Sequence, residues 1–246
     1  MTDLLAAELL KLRTTRTTWA LLAATVAVSA LAVASAVIVG ADSATLDLES
    51  DRGVRAVLNV SANGAIFVLA LGIIISAGEY RQGTATDTFL TTPRRWRVIA
   101  AKLTVATLAG VAFGALAVGV SIAVANVSYR LEGYTFPLGS SEGWSTLAGA
   151  VLYAALFGAL GAATGSLVRN QVAAIVGWLA WLFVVEHIAV GFLPDLGRWL
   201  PAAAGQALVR APNQELLAQP TAAVVLAAYG VAMMSIAVFS ERYRDA

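Results

Sequence analysis

Six stretches of about twenty mostly apolar residues punctuate the 246-residue chain, and they leave few folds open. A helix needs roughly 20 such residues to cross a bilayer. The windows run over about 19–40, 57–77, 98–127, 147–168, 172–193 and 221–240. Lipid offers backbone groups no hydrogen-bond partner, so runs of this length read as transmembrane helices. Composition agrees. Charged residues are 13% of the chain and hydrophobic residues 59%, with a mean hydropathy of +0.78. An ordinary soluble domain carries roughly 25% charged residues. The expected fold class is an all-α membrane protein with six transmembrane helices, forming a single transmembrane domain over 1–246. The third window is longer than a span needs, so tilt or an extra exposed turn is expected there.

Several functions are excluded by counting. A formal net charge of +1 gives no electrostatic case for nucleic acid. Cysteine is absent, which removes disulfides, thiolate metal sites and thiol nucleophiles. A P-loop needs a lysine between glycine and Ser or Thr, and neither Lys11 nor Lys102 has that context. The single histidine, His187, cannot make a two-histidine zinc site. A serine protease with His187 as base lacks a Gly-x-Ser-x-Gly partner. The chain is therefore expected to be no enzyme and to bind no metal or cofactor itself. Lys11, Arg13 and Arg16 before the first apolar run imitate a signal peptide, but about 22 apolar residues exceed a cleavable core of 7–15.

Basic residues orient the spans. With the N-terminus placed in the cytoplasm, eleven of the 16 Lys and Arg residues fall inside and five outside. Both termini are then cytoplasmic. The first outer loop is acidic, with Asp42, Asp47, Glu49 and Asp51. Trp19, Trp96, Trp144 and Trp199 lie near span ends, as in an aromatic belt.

Three segments stand out. Over 1–18, Leu5, Leu9 and Leu12 form a stripe, with Glu8 and Lys11 on other faces. This reads as an amphipathic helix at the membrane interface, or as a flank that only sets topology. The inner loop after the second span, Gly78 to Arg97, holds glycines, threonines and then Pro93 before arginines. One or two helical turns from Thr84 to about Thr91 fit there, able to dock on a soluble partner; a solvated basic loop is the plainer alternative. Glu186 and His187 are an ionisable pair inside the fifth window. They belong either to a substrate pathway or near the outer end of the span, bonded to backbone. Gly110 and Gly114, and Gly161 and Gly165, permit close helix approach.

The run Glu8–Trp19, with Glu8, Lys11, Arg16 and Trp19, resembles the N-terminus of ABC transporter permeases of the type-2 exporter class. The loop is similar to the stretch after their second span: an acidic residue, an arginine, Gly-Thr, then proline and arginines. Lys102 matches a lysine often found just inside their third span. Glu186, Pro194 and Leu200-Pro201 resemble the end of their fifth. The resemblance implies a permease that pairs with a second copy (homodimer, or related heterodimer) and with two copies of an ABC ATPase subunit, which bind ATP and Mg. It makes the inner loop a cytoplasmic coupling helix, with Glu79, Arg81, Gly83, Thr84, Asp87, Phe89, Pro93 and Arg94 coupling to the ATPase. It implies short external helices between spans five and six, and a multi-pass place in the bacterial inner membrane. The expected cargo is hydrophobic or amphipathic: a drug, an antimicrobial peptide, a lipid or a glycan. An ion-coupled secondary transporter and a non-transporting scaffold are the alternatives.

Overall fold

The structure is a computed structural model that describes residues 2–43, 47–83, 95–137, 139–211 and 216–243. It is 87% helical, and no strand occurs among the described residues. Six of its helical stretches are long and apolar enough to cross a membrane.

The chain opens with α1 (Thr2–Thr14) and α2 (Arg16–Ala41). Thr15 separates them by taking an extended backbone, with φ −90° and ψ 121°. Its hydroxyl donates to the Lys11 carbonyl at 2.6 Å, which closes the end of α1. Trp19 Nε1 donates to the Arg13 carbonyl at 3.1 Å and staples the elbow. The Leu5–Leu9–Leu12 stripe needs correcting. Glu8 is 5% exposed and Leu9 40% exposed, so the inward face is Leu5–Glu8–Leu12.

The second span is also more elaborate than the window 57–77. α3 (Asp51–Leu58) begins at Ser50, whose hydroxyl accepts from Gly53 N. A 3₁₀ turn over Asn59–Gly64 follows, then α4 (Ala65–Gln82). Asn59 causes the change of winding: its amide donates to the carbonyls of Arg55 and Ala56 at 2.9 and 2.7 Å. Those carbonyls belong to the last turn of α3, which is thereby closed. α5 (Arg95–Leu131) is one uninterrupted helix of 37 residues. α6 (Ser141–Val168) returns and ends at Arg169 in the left-handed region, φ 58°. The fifth span comprises α7 (Gln171–Ala180), a π-helical turn at Trp181–Val185, and α8 (Glu186–Phe192). Two short helices follow between spans five and six, α9 (Pro194–Gly197) and α10 (Pro201–Leu208). α11 (Gln219–Tyr243) is the sixth span.

α6 is the axis of the bundle. Small residues let α4 and α5 lie directly on it. A Cβ on Gly165 would sit 2.7 Å from the Ile73 carbonyl, and one on Gly110 would sit 2.6 Å from the Ala154 carbonyl. Gly161 lies against the backbone of Leu69, and Gly72 against Gly158 and Ala162. Without a hydrophobic drive between helices in lipid, this close contact supplies the dispersion energy of association. Tyr153, Phe157 and Trp178 interleave beside it, and the Trp178 indole donates to the Thr164 hydroxyl at 3.0 Å. The spans of α2, of α7–α8 and of α11 are peripheral, each 22% buried against 72% for α6.

Replacing Gly161 with Leu should cost about 1–3 kcal/mol by overpacking and lower the melting temperature in detergent by several degrees. Gly177, which has open space around it, should accept Leu with no loss. Equal effects at the two positions would contradict this packing.

Candidate functional site

Four charged side chains converge where α1 meets the ends of α4 and α5. Lys11 Nζ lies 2.8 Å from Glu8 Oε1 and 2.5 Å from Glu79 Oε1. Lys102 Nζ lies 3.2 Å from Glu8 Oε1 and 2.9 Å from Glu79 Oε1. The result is a closed square of alternating sign. Glu8, Glu79 and Lys102 are 5%, 8% and 4% exposed, whereas the Lys11 side chain is about half exposed. Lys102 also donates to the Ile75 carbonyl at 3.3 Å.

Local structure explains each placement. Glu8 lies three residues before Lys11, one turn of α1, so the two pair with each other and reach the same junction, Glu8 toward Lys102 and Lys11 toward Glu79. Glu79 is in the last turn of α4, which Gly83 terminates with φ 73° while its N–H donates to the Glu79 carbonyl. Gly83 suits this position because a Cβ penalises the left-handed region. Lys102 is two turns into α5. Its buried ammonium requires partners, and the two carboxylates supply them.

Glu8, Lys11 and Glu79 of the square form one wall of a cleft of about 420 Å³, bordered also by Thr15, Thr17, Thr18, Ile74, Gly78, Arg81 and Gln171. Arg81 is exposed. Nearby, the Arg169 guanidinium stacks 5.1 Å from the Tyr80 ring and ties the end of α6 to the end of α4. Burial works to lower the Lys11 pKa, but hydrogen bonds to Glu79 and Glu8 outweigh it and hold the ammonium above its ordinary 10.5.

Of the residues expected from the sequence to couple to a partner, Glu79, Arg81 and Gly83 lie at this end of α4. Thr84, Asp87, Phe89, Pro93 and Arg94 lie outside the described residues. Glu186 and His187 are elsewhere. The Glu186 carboxylate is 2% exposed and accepts the Ala203 N–H at 2.8 Å. Ala203 is in the first turn of α10, whose N-cap Leu200 has no side chain able to cap it. Glu186 therefore serves a helix terminus that its own sequence leaves open. His187 Nδ1 is 3.1 Å from the Leu182 carbonyl in the π turn.

Two partnerships were not foreseen. Glu8 joins Lys102 across 94 residues. At the other end of the bundle, Glu142 in the first turn of α6 accepts from Arg210 and lies 3.5 Å from Arg55 of α3. Lys102 is a lone charge inside the third apolar window, the kind of residue that needs a countercharge.

The signature of the ABC-2 family transporter proteins matches residues 4–190, which includes α1, the square and the first five spans as far as α8. No curated protein matches the chain.

Two outcomes follow for the square. Lys102→Met leaves two buried carboxylates sharing Lys11 and should destabilise by about 3–5 kcal/mol; adding Glu79→Gln should recover part of the loss, because the sites couple. Simple additivity in thermal unfolding would contradict a shared network. Because the Lys11 pKa is raised on folding, its stabilisation is complete below its unfolded pKa and is lost as pH rises through the folded one. The melting-temperature gap between the protein and Lys11→Met should therefore stay constant up to about pH 10 and shrink above it.

Proposed function

The chain belongs to the ABC-2 transporter family, and on that footing we propose that it exports a hydrophobic or amphipathic cargo using ATP hydrolysis on a partner. As a member, it is the membrane permease subunit of an ABC transporter, and its partner is an ABC ATPase. In the proposed assembly two copies of the permease pair with two ATPase subunits in a bacterial inner membrane, both termini cytoplasmic. ATP and Mg stay with the ATPase. The cargo classes proposed, on the resemblance to type-2 exporters, are drugs, antimicrobial peptides and lipids.

The observation that carries the coupling reading is the ionic square. The segment 84–94 joins α4 to α5, and is the segment proposed to dock on the ATPase. Glu79 and Lys102 stand just before and after it, and both are bonded to α1. A displacement of the docked segment would pull on α4, α5 and α1 together, since withdrawing α4 or α5 leaves an excess buried charge and withdrawing α1 breaks both of its bonds to them, Lys11–Glu79 and Glu8–Lys102. Through α4 and α5 the pull reaches α6, against which both are packed by glycine contacts. Arg81, Gly83, Thr84, Asp87, Phe89, Pro93 and Arg94 are proposed to shape and present the docking segment. Glu186 and His187 are proposed to hold the α8–α10 corner rather than to touch cargo, since the carboxylate already accepts a backbone N–H.

Affinity capture of the tagged chain from gently solubilised native membranes should bring down an ABC ATPase in comparable amount. Capture of the chain alone in several mild detergents would overturn the reading. Given the complex, placing bulky residues at Gly83 and Thr84 should preserve membrane insertion and separate ATP hydrolysis from transport. Unaltered coupling would remove the segment from the mechanism.

A further inference from the structure

We propose that the elbow between α1 and α2 binds one anionic phospholipid, its headgroup in the polar cleft and an acyl chain in an adjoining apolar groove. α2 has 26 residues, about 39 Å of helix against roughly 30 Å of hydrocarbon, so its first turns reach headgroup depth. The cleft of about 420 Å³ opens there, with Lys11, Arg81, Thr17, Thr18 and Gln171 as hydrogen-bond donors. Beside it runs a groove of about 280 Å³, bordered by Leu9, Trp19, Leu22, Leu108 and Phe113 and almost wholly apolar. The two spaces share Leu12 and Thr18 as walls. Along α5 the groove extends from about 9 to about 21 Å beyond Lys102, the direction an acyl chain takes away from its headgroup.

Charge decides the kind of lipid. Glu8 and Glu79 are matched one for one by Lys11 and Lys102. That leaves Arg81 on the cleft and Arg13 on the groove, with Arg16 at the elbow. None of these three forms an ion pair with another described residue. A phosphate diester beside donors and uncompensated guanidiniums matches this set, and arginine pairs with phosphate in bidentate fashion. A free phosphate would leave the apolar groove unused, whereas a phospholipid fills both spaces at once.

The Trp19 indole borders the groove and supplies the probe. The full chain is reconstituted in phosphatidylcholine vesicles containing a small fraction of either phosphatidylglycerol or phosphatidylcholine with brominated acyl chains. The fluorescence lost relative to Trp19→Phe isolates the Trp19 signal. Brominated phosphatidylglycerol should quench Trp19 with an apparent affinity at least about five-fold higher, the factor that one basic residue supplies near anionic lipid. Arg13→Gln with Arg81→Gln should abolish the preference. Ala112→Phe, on an exposed position lining the groove, should abolish it with every charge intact. Ala115→Phe, exposed but outside the groove, should leave it unchanged. Equal quenching by the two lipids would overturn the proposal. A preference that survives Ala112→Phe would also overturn it, by reducing the effect to general surface attraction. So would a preference that excess inorganic phosphate cancels and Ala112→Phe does not, which would identify a phosphate site alone.

Discussion

Placing an ammonium and two carboxylates out of water is costly unless each meets its opposite in good geometry. Glu8, Glu79 and Lys102 are all buried, and Lys11 completes the set from the more exposed side. Each carboxylate bonds both ammoniums through its Oε1, so no two-body pair can be withdrawn without disturbing the rest. α1 is thereby held to the ends of two spans that lie far from it in sequence. Leu12 adds an apolar contact to the same junction, in a cluster with Val68, Leu71 and Val105.

The remainder of the bundle gives that junction something rigid to act on. α4 and α5 rest on α6 through glycines whose Cβ positions are occupied by neighbouring backbone. Such contacts leave no slack, because a core at crystal-like density transmits displacement rather than absorbing it. The peripheral spans are different. α7–α8 includes a π turn, an arrangement often found at functional positions in helices. Directly after it Glu186 reaches α10 and holds that short helix against the span.

Much of this was legible in the sequence, and for a physical reason. Span length and hydropathy are local properties, so the six apolar windows coincide with the six long helices to within a few residues at most ends. The second span was less legible because its interruption depends on one side chain, Asn59, bonding backwards to two carbonyls. α1 misled in a specific way. Periodicity assigns charged residues to the outer face, yet Glu8 points inward because Lys102 waits there. Pairing across 94 residues is a tertiary fact that no local pattern encodes. Glu79, Arg81 and Gly83 came from resemblance, and the αL geometry of Gly83 then supplied the physical reason for glycine.

In the proposed ATP cycle, the square makes α1 and the ends of α4 and α5 one mechanical body. The chain has no cysteine, so engineered pairs report without background. Leu10 on α1 and Trp96 on α5 are both exposed and suit spin labels. Double electron–electron resonance on the Leu10→Cys, Trp96→Cys protein in complex with its ATPase, with and without trapped nucleotide, measures the separation directly. One narrow, unchanged distance is expected in both states, and a broad distribution once Lys102→Met is added. A separation that shifts between the two nucleotide states with the square intact would contradict it.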